Sequence, residues 1–348
     1  MKIHHVALWG ILALILLSAA FFPLNVLAQT EPPVTPQDTG TIFLPLVSSG
    51  SGSRPTPVPT PRPTIIPNPQ LGNIIDHTSL PLFDQIPAQY LRAAEQIRFH
   101  FIDSSVGQNI YEGLECLSAS SWGASPSRCR RHYTDASLTS WKTFTTNDTN
   151  IPAVIQFPGG NDNRNIYFNF MGPEEIPYSG TWYGQLEFFV TTYPAQANDW
   201  DIISLKHNYL HVSNETNIDI SRVYFDPNYN GYNIYDVLDL EARYPNKVFV
   251  YWTTSLARTI GTIRSESFNN QMRQFARDNN KILIDVADIL SHTPEGNACR
   301  NSQGYQIICR EYTTESEGGH LGSVSGGQIR LAKAVWIMLA QLAGWQGP

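Results

Sequence analysis

Phe99-His100-Phe101-Ile102-Asp103-Ser104-Ser105-Val106-Gly107-Gln108-Asn109-Ile110 opens as an apolar, β-prone run and breaks into small hydroxyl residues followed by glycine. That order predicts a buried strand from Ile97 to Asp103, a tight turn, and a helix from Val106 to Leu117. A hydroxyl at such a turn lies at a helix N-terminus, where backbone N–H groups and the helix dipole can stabilise an oxyanion. Gly107 would let a substrate come close to the main chain. Ser104 or Ser105 could equally be a plain helix cap.

Outward from this stretch, apolar runs alternate with amphipathic ones. Strands are expected at Ile97–Asp103, Asn165–Met171, Asp201–Leu210, Lys247–Ser255 and Lys281–Ala287. Helices are expected at Tyr232–Tyr244, at Ser265–Asn279 with Ser265 as N-cap, and at Ser325–Trp345 with one apolar stripe. The alternation predicts an α/β fold, a flavodoxin-like three-layer α/β/α domain around a central parallel five-stranded sheet. Active sites in such sheets lie beyond the carboxyl ends of the strands. The rule singles out Asp103–Gly107, Met171–Pro173, His207–Tyr209 and the loop before the last helix.

The amino-terminal part reads differently. Met1–Ala28 has Lys2, an apolar run and a Val26-Leu27-Ala28 ending, the pattern of a secretory signal peptide, with an uncleaved anchor as the alternative. Residues 29–72 hold 11 of the 24 prolines and read as a Pro/Thr/Ser-rich linker or stalk, leaving 73–348 as the folded domain. With 23 Lys+Arg against 30 Asp+Glu, the chain carries a net charge of −7 and lacks a basic footprint for nucleic acid. The four cysteines fall into two local pairs. In an exported chain these suggest disulfides Cys116–Cys129 and Cys299–Cys309, since neither pair has the short spacer of a zinc site.

The second chemically loaded stretch is Glu315-Ser316-Glu317-Gly318-Gly319-His320-Leu321-Gly322. A histidine in a glycine-rich loop can serve as a base, and a carboxylate three residues earlier, Glu317, can orient its ring. A surface ion pair is the bland reading of the same residues.

Together these blocks resemble the SGNH (GDSL-like) hydrolase superfamily: a serine after the first strand, a glycine after the second, an asparagine after the third, and an acid-x-x-His before the last helix. The Phe101–Ile110 turn and Gly318-Gly319-His320-Leu321 are similar to a bacterial branch whose blocks read His-Gln-Ser-Val-Gly and Asp-Gly-Gly-His-Leu. The resemblance spans Ile97 to Trp345. It implies an ester hydrolase with Ser105 as nucleophile, His320 as general base and Glu317 as orienting acid. The oxyanion hole would comprise the N–H groups of Ser105 and Gly172 and the Asn208 side-chain amide. Asp103-Ser104 offers a second register with Ser104 as nucleophile. Lys206 and Tyr209 stand where the family's third block has glycine and aspartate.

No cofactor and no metal is implied. The expected partner is a small-molecule or glycan ester, with carbohydrate O-acyl esters fitting a stalked extracellular protein at least as well as lipids; the stalk could hold the domain at a cell surface. His207 and His211 invite a metal reading, but on a continuous strand they would stand about 13 Å apart. Trp122, Tyr178, Trp182 and Tyr183 could stack on sugars, although aromatic residues at this density usually build core. Asn147-Asp148-Thr149 and Asn214-Glu215-Thr216 are glycosylation sequons. The alternatives to an enzyme are a catalytically degenerate carbohydrate-binding module and a structural stalk domain.

Overall fold

A computed structural model describes residues 73–103, 105–155, 167–171, 181–213, 219–259 and 262–348. The expected signal and linker lie outside the described residues, as do Ser104, Gly172, Tyr178 and Asn214. The elements run β1 (Ile74–Ile75), α1 (Ala88–Ala94), β2 (Arg98–Ile102), α2 (Ser105–Ser118), β3 (Arg131–Tyr133), β4 (Trp141–Thr143), β5 (Tyr167–Met171), α3 (Trp182–Thr191) and α4 (Tyr193–Gln196). They continue with β6 (Ile202–Leu205), α5 (Tyr209–Ser213), α6 (Ile220–Val223), α7 (Ile234–Arg243), β7 (Val248–Trp252), α8 (Thr262–Asp278), β8 (Ile282–Ile284), α9 (Val286–Leu290) and α10 (Gly326–Leu342).

The fold is α/β, as the alternation of the sequence requires. The five expected strands pair in parallel in the order β5-β2-β6-β7-β8, and β1 adds a short sixth strand beside β8. Side chains alternate between two covered faces. Phe99, Phe101, Ile202, Val250, Trp252 and Ile284 pack with α1, α2, α9 and α10, whereas Ile102, Ile203, Phe249, Tyr251 and Leu283 pack with α3, α7 and α8. Burial on both faces is what makes these strands nearly continuous apolar runs. A separate ribbon pairs β3 with β4 antiparallel.

Helix α2 buries Val106, Ile110 and Leu114, spaced one turn apart. Gly113 sets how closely it meets α10, because a Cβ there would lie 2.2 Å from the Gln328 carbonyl oxygen. The expected apolar stripe of α10 proves too narrow. Nearly every residue of the helix is buried, since α1, α2, α9 and the 3-10 turn at His77–Gln85 surround it.

Several boundaries also differ, β7 among them, which ends at Trp252 rather than Ser255. β6 stops at Leu205, and Tyr209–Ser213 is helical, because the Asn208 side chain caps that turn rather than continuing the ladder. β8 ends at Ile284, where Asp285 caps α9. α8 starts at Thr262, so Ser265 is a buried interior residue and not the N-cap.

Both disulfides form as paired in the sequence analysis. Cys116–Cys129 ties the end of α2 to the turn before β3, and Cys299–Cys309 closes a loop ahead of the His320 segment. They fit an oxidising compartment. Among the described residues, no helix is long and apolar enough to cross a membrane.

Candidate active site

The site is built beyond the carboxyl ends of β2, β6 and β7. At its floor, Lys206 Nζ lies 2.7 Å from Asp103 Oδ2, and both side chains are fully buried. The Lys206 main-chain N–H also donates to the Ile102 carbonyl at 2.9 Å. This pair pins the end of β6 to the end of β2, immediately before the helix that begins at Ser105. Two charges taken out of water are tolerated only when each answers the other.

Ser105 is the first residue of α2 and is exposed. One turn further along, Asn109 Oδ1 accepts a hydrogen bond from the Leu321 N–H at 3.2 Å. The helix that carries Ser105 is thereby fastened to the residue following His320.

The His320 loop is shaped by its glycines. Gly318 has φ +84°, which disfavours any side chain. Gly319 lies flat against the Tyr209 ring, where a Cβ would come within 2.1 Å of Cζ. From β7's end, Ser255 Oγ donates to the Gly319 carbonyl at 3.3 Å, and Thr254 Oγ1 donates to the His207 carbonyl at 2.9 Å. The Tyr209 and His320 rings meet edge to face with centroids 5.7 Å apart.

The carboxylate at the histidine is Glu315 and not the expected Glu317. Glu315 Oε1 lies 3.0 Å from His320 Nδ1, and Oε2 accepts the His320 main-chain N–H at 3.3 Å. The left-handed turn at Gly318 reverses the chain, so Glu317 is exposed and its carbonyl accepts the Arg258 N–H at 2.6 Å. Both carboxylates still act on Tyr209, whose hydroxyl pKa is raised by burial first and by Glu317 and Glu315 in addition. With Nδ1 held by Glu315, Nε2 is the nitrogen available to a reacting hydroxyl.

Asn208 is buried. Its Oδ1 caps α5 by accepting the His211 N–H at 2.8 Å, and its Nδ2 lies 3.3 Å from His211 Nε2. Because β6 has already ended, the His207 and His211 rings are 6.5 Å apart and not the 13 Å of a continuous strand. Among the described residues no third His, Cys, Asp or Glu joins them at ligand distance. His207 is enclosed by Trp182, Tyr224 and Phe268, and burial drives its pKa well below the usual value. Trp182 is core, Trp122 is partly buried and Tyr183 is exposed, so they form no common platform. Of the sequons, Asn147 is exposed.

Of the expected residues, Ser105 opens α2, Asn208 follows β6 and His320 lies in the loop before α10, with no hydrogen bond joining them among the described residues. The contacts of Glu315 with His320, of Asn109 with Leu321 and of Asp103 with Lys206 were not anticipated from the sequence. Glu315 lay in the quoted stretch, but three-residue spacing favoured its neighbour. A surface depression lined by Val190, Tyr232, Asp236 and Arg243 between α3 and α7 involves none of these residues. Searches of protein-family models, of curated proteins and of solved structures return no match to this chain.

Proposed function

We propose that this chain is an exported ester hydrolase of the SGNH type, with Ser105 as nucleophile, His320 as general base and Glu315 as the carboxylate that orients it. The observation that carries the reading is the Glu315–His320 contact of 3.0 Å in a loop fastened by Asn109 to the helix that Ser105 opens. The strand order β5-β2-β6-β7-β8 supports the flavodoxin-like arrangement that such enzymes have, with the reacting groups beyond the strand ends. The two disulfides support an extracellular setting.

In this mechanism the Ser105 hydroxyl attacks the ester carbonyl while His320 Nε2 takes its proton, and Glu315 steadies the imidazolium that forms. The N–H groups at the start of α2 and the Asn208 amide are the candidate donors to the oxyanion, with Gly172 as a third. His320 then returns the proton to the leaving alcohol, and water repeats the sequence on the acyl enzyme. Carbohydrate O-acyl esters are the favoured substrates.

The test is turnover of an aryl acetate together with labelling by a fluorophosphonate probe. Ser105→Ala and His320→Ala should each remove several orders of magnitude of kcat, and the double variant should lose little more. A dead Ser104→Ala beside an active Ser105→Ala would move the nucleophile by one residue. Wild-type turnover in all three single variants, or glycan binding with no probe labelling, would overturn the hydrolase reading in favour of a binding module.

A further inference from the structure

A second cluster of reactive side chains lies on the same rim of the sheet, beyond the carboxyl ends of β1 and β8. His77, just after β1, opens the 3-10 turn that Asp76 caps; Asp288 lies in α9, and His292 follows that helix. Because β1 and β2 are four strand spacings apart in the sheet order, the cluster stands roughly 19 Å along the rim from the Ser105 region.

Its geometry is specific. The two imidazoles stack with centroids 3.7 Å apart and planes 11° from parallel. Asp288 Oδ2 accepts the His77 main-chain N–H at 2.9 Å and is also hydrogen-bonded to the His77 ring at Nδ1. His292 Nδ1 is 2.8 Å from the Asp288 carbonyl and 3.3 Å from Asp288 Oδ1. A carbonyl can only accept, so His292 Nδ1 carries a proton in this arrangement; Nδ1 is the ring nitrogen that faces Asp288, and that proton must leave when an ion binds. Among the described residues none hydrogen-bonds to Nε2 of either ring, which leaves Nε2 to carry the proton once Nδ1 binds an ion. The His292 carbonyl is itself held by Tyr312 Oη at 2.8 Å and Arg330 Nη2 at 3.3 Å, which fixes the end of the turn. One ligand atom from each of the three residues lies within 4.8 Å of the other two.

We propose that His77, Asp288 and His292 form a binding site for one divalent transition-metal ion of the zinc class. Two imidazole nitrogens with one carboxylate oxygen suit zinc and its neighbours, whereas calcium and magnesium require oxygen ligands. Bonds of about 2.0–2.2 Å to one ion ask the two Nδ1 atoms and the Asp288 carboxylate to turn towards a common centre and the rings to open from their stack. All three side chains are more than three-quarters buried yet not sealed, with 21%, 16% and 13% of each exposed, so an ion can enter and keep water as a further ligand. The ion would tie the segment after β1 to α9 and play no part in the Ser105 reaction.

The test is titration of zinc chloride into the full chain after chelator treatment and dialysis. One equivalent should bind, Tm should rise, and calcium or magnesium at the same concentration should do neither. His292→Ala and His77→Ala should each weaken binding at least ~10-fold, while His320→Ala should leave it intact. Since His77→Ala could loosen its segment, carbethoxylation of the wild-type chain mapped by mass spectrometry gives an independent reading: zinc should protect His77 and His292. An absence of stoichiometric binding, binding unchanged in His292→Ala, or a zinc-bound chain with both histidines still modified would overturn the site.

Discussion

Glu315 Oε1 lies 3.0 Å from His320 Nδ1, while Glu317, two residues closer in sequence, points to solvent. The contrast separates two carboxylates that a motif alone treats as interchangeable. Glu315→Gln should lower kcat on the order of 10³-fold or more, because the amide cannot hold the ring and stabilise its charged form. Glu317→Gln should stay within about twofold of wild type, as an exposed charge not in contact with the reacting groups. Steady-state kinetics of the two variants with one aryl ester decides it, and the reverse order would return the role to Glu317.

The Asp103–Lys206 pair should behave as one unit. Lys206→Met leaves a carboxylate buried without its counter-charge and should cost about 3–5 kcal/mol in urea unfolding. Adding Asp103→Asn to the same chain should cost much less than the sum of the two single changes, since the stranded charge is gone. Strict additivity would mean that the two charges are not coupled.

Gly319 makes a steric prediction. In Gly319→Ala the new methyl meets the Tyr209 ring, so the loop must shift and carry His320 with it. A displacement of about 1 Å at a catalytic group can cost about 100-fold in rate. Combining Gly319→Ala with Tyr209→Ala removes the clash and should raise kcat above that of Gly319→Ala alone. A double variant no faster than the single would show that the glycine is needed for something other than room.

Acid should unfold the protein through its buried histidines. His100 contacts Tyr193 and Trp200, and burial lowers its pKa from 6.5 to about 4; burial lowers His207 as well. The unfolded chain therefore binds protons between those values that the folded chain refuses. Stability is complete above pH 6.5 and falls as the pH drops towards about 4, by up to about 1.4 kcal/mol per pH unit for each histidine fully in its window. Urea midpoints at pH 7.5 and pH 5 measure this, and His100→Gln should flatten the slope. Equal midpoints for the wild type at both pH values would contradict it.

Much of this architecture was legible in the sequence because both faces of the sheet are buried, which turns strands such as Phe249–Trp252 into unbroken apolar runs. β1 escaped notice because two residues carry no period. β6 was drawn too long because Tyr209 and Leu210 extend its apolar run, and only the Asn208 cap, a contact between side chain and main chain, reveals the helix. The carboxylate in contact with His320 was misread for a related reason: spacing along the chain measures reach only where the chain is regular, and Gly318 takes a left-handed turn. The pairing of Asp103 with Lys206 is set by β2 and β6 lying side by side, a relationship between strands a hundred residues apart that no local pattern contains.

Helix α10 has a consequence for the life of the chain before it is folded. It follows every element it packs against, yet it fills the space between α1, α2, α9 and the 3-10 turn near the beginning of the domain. A chain emerging amino-terminus first would hold one side of its sheet and the apolar flanks of α1 and α2 uncovered until those last residues arrived. Contacts so distant in sequence are slow to form, and the uncovered intermediate is open to aggregation. Passage across a membrane in an unfolded state would therefore be compatible with this fold, because that side of the sheet is fully covered only once its last helix is through.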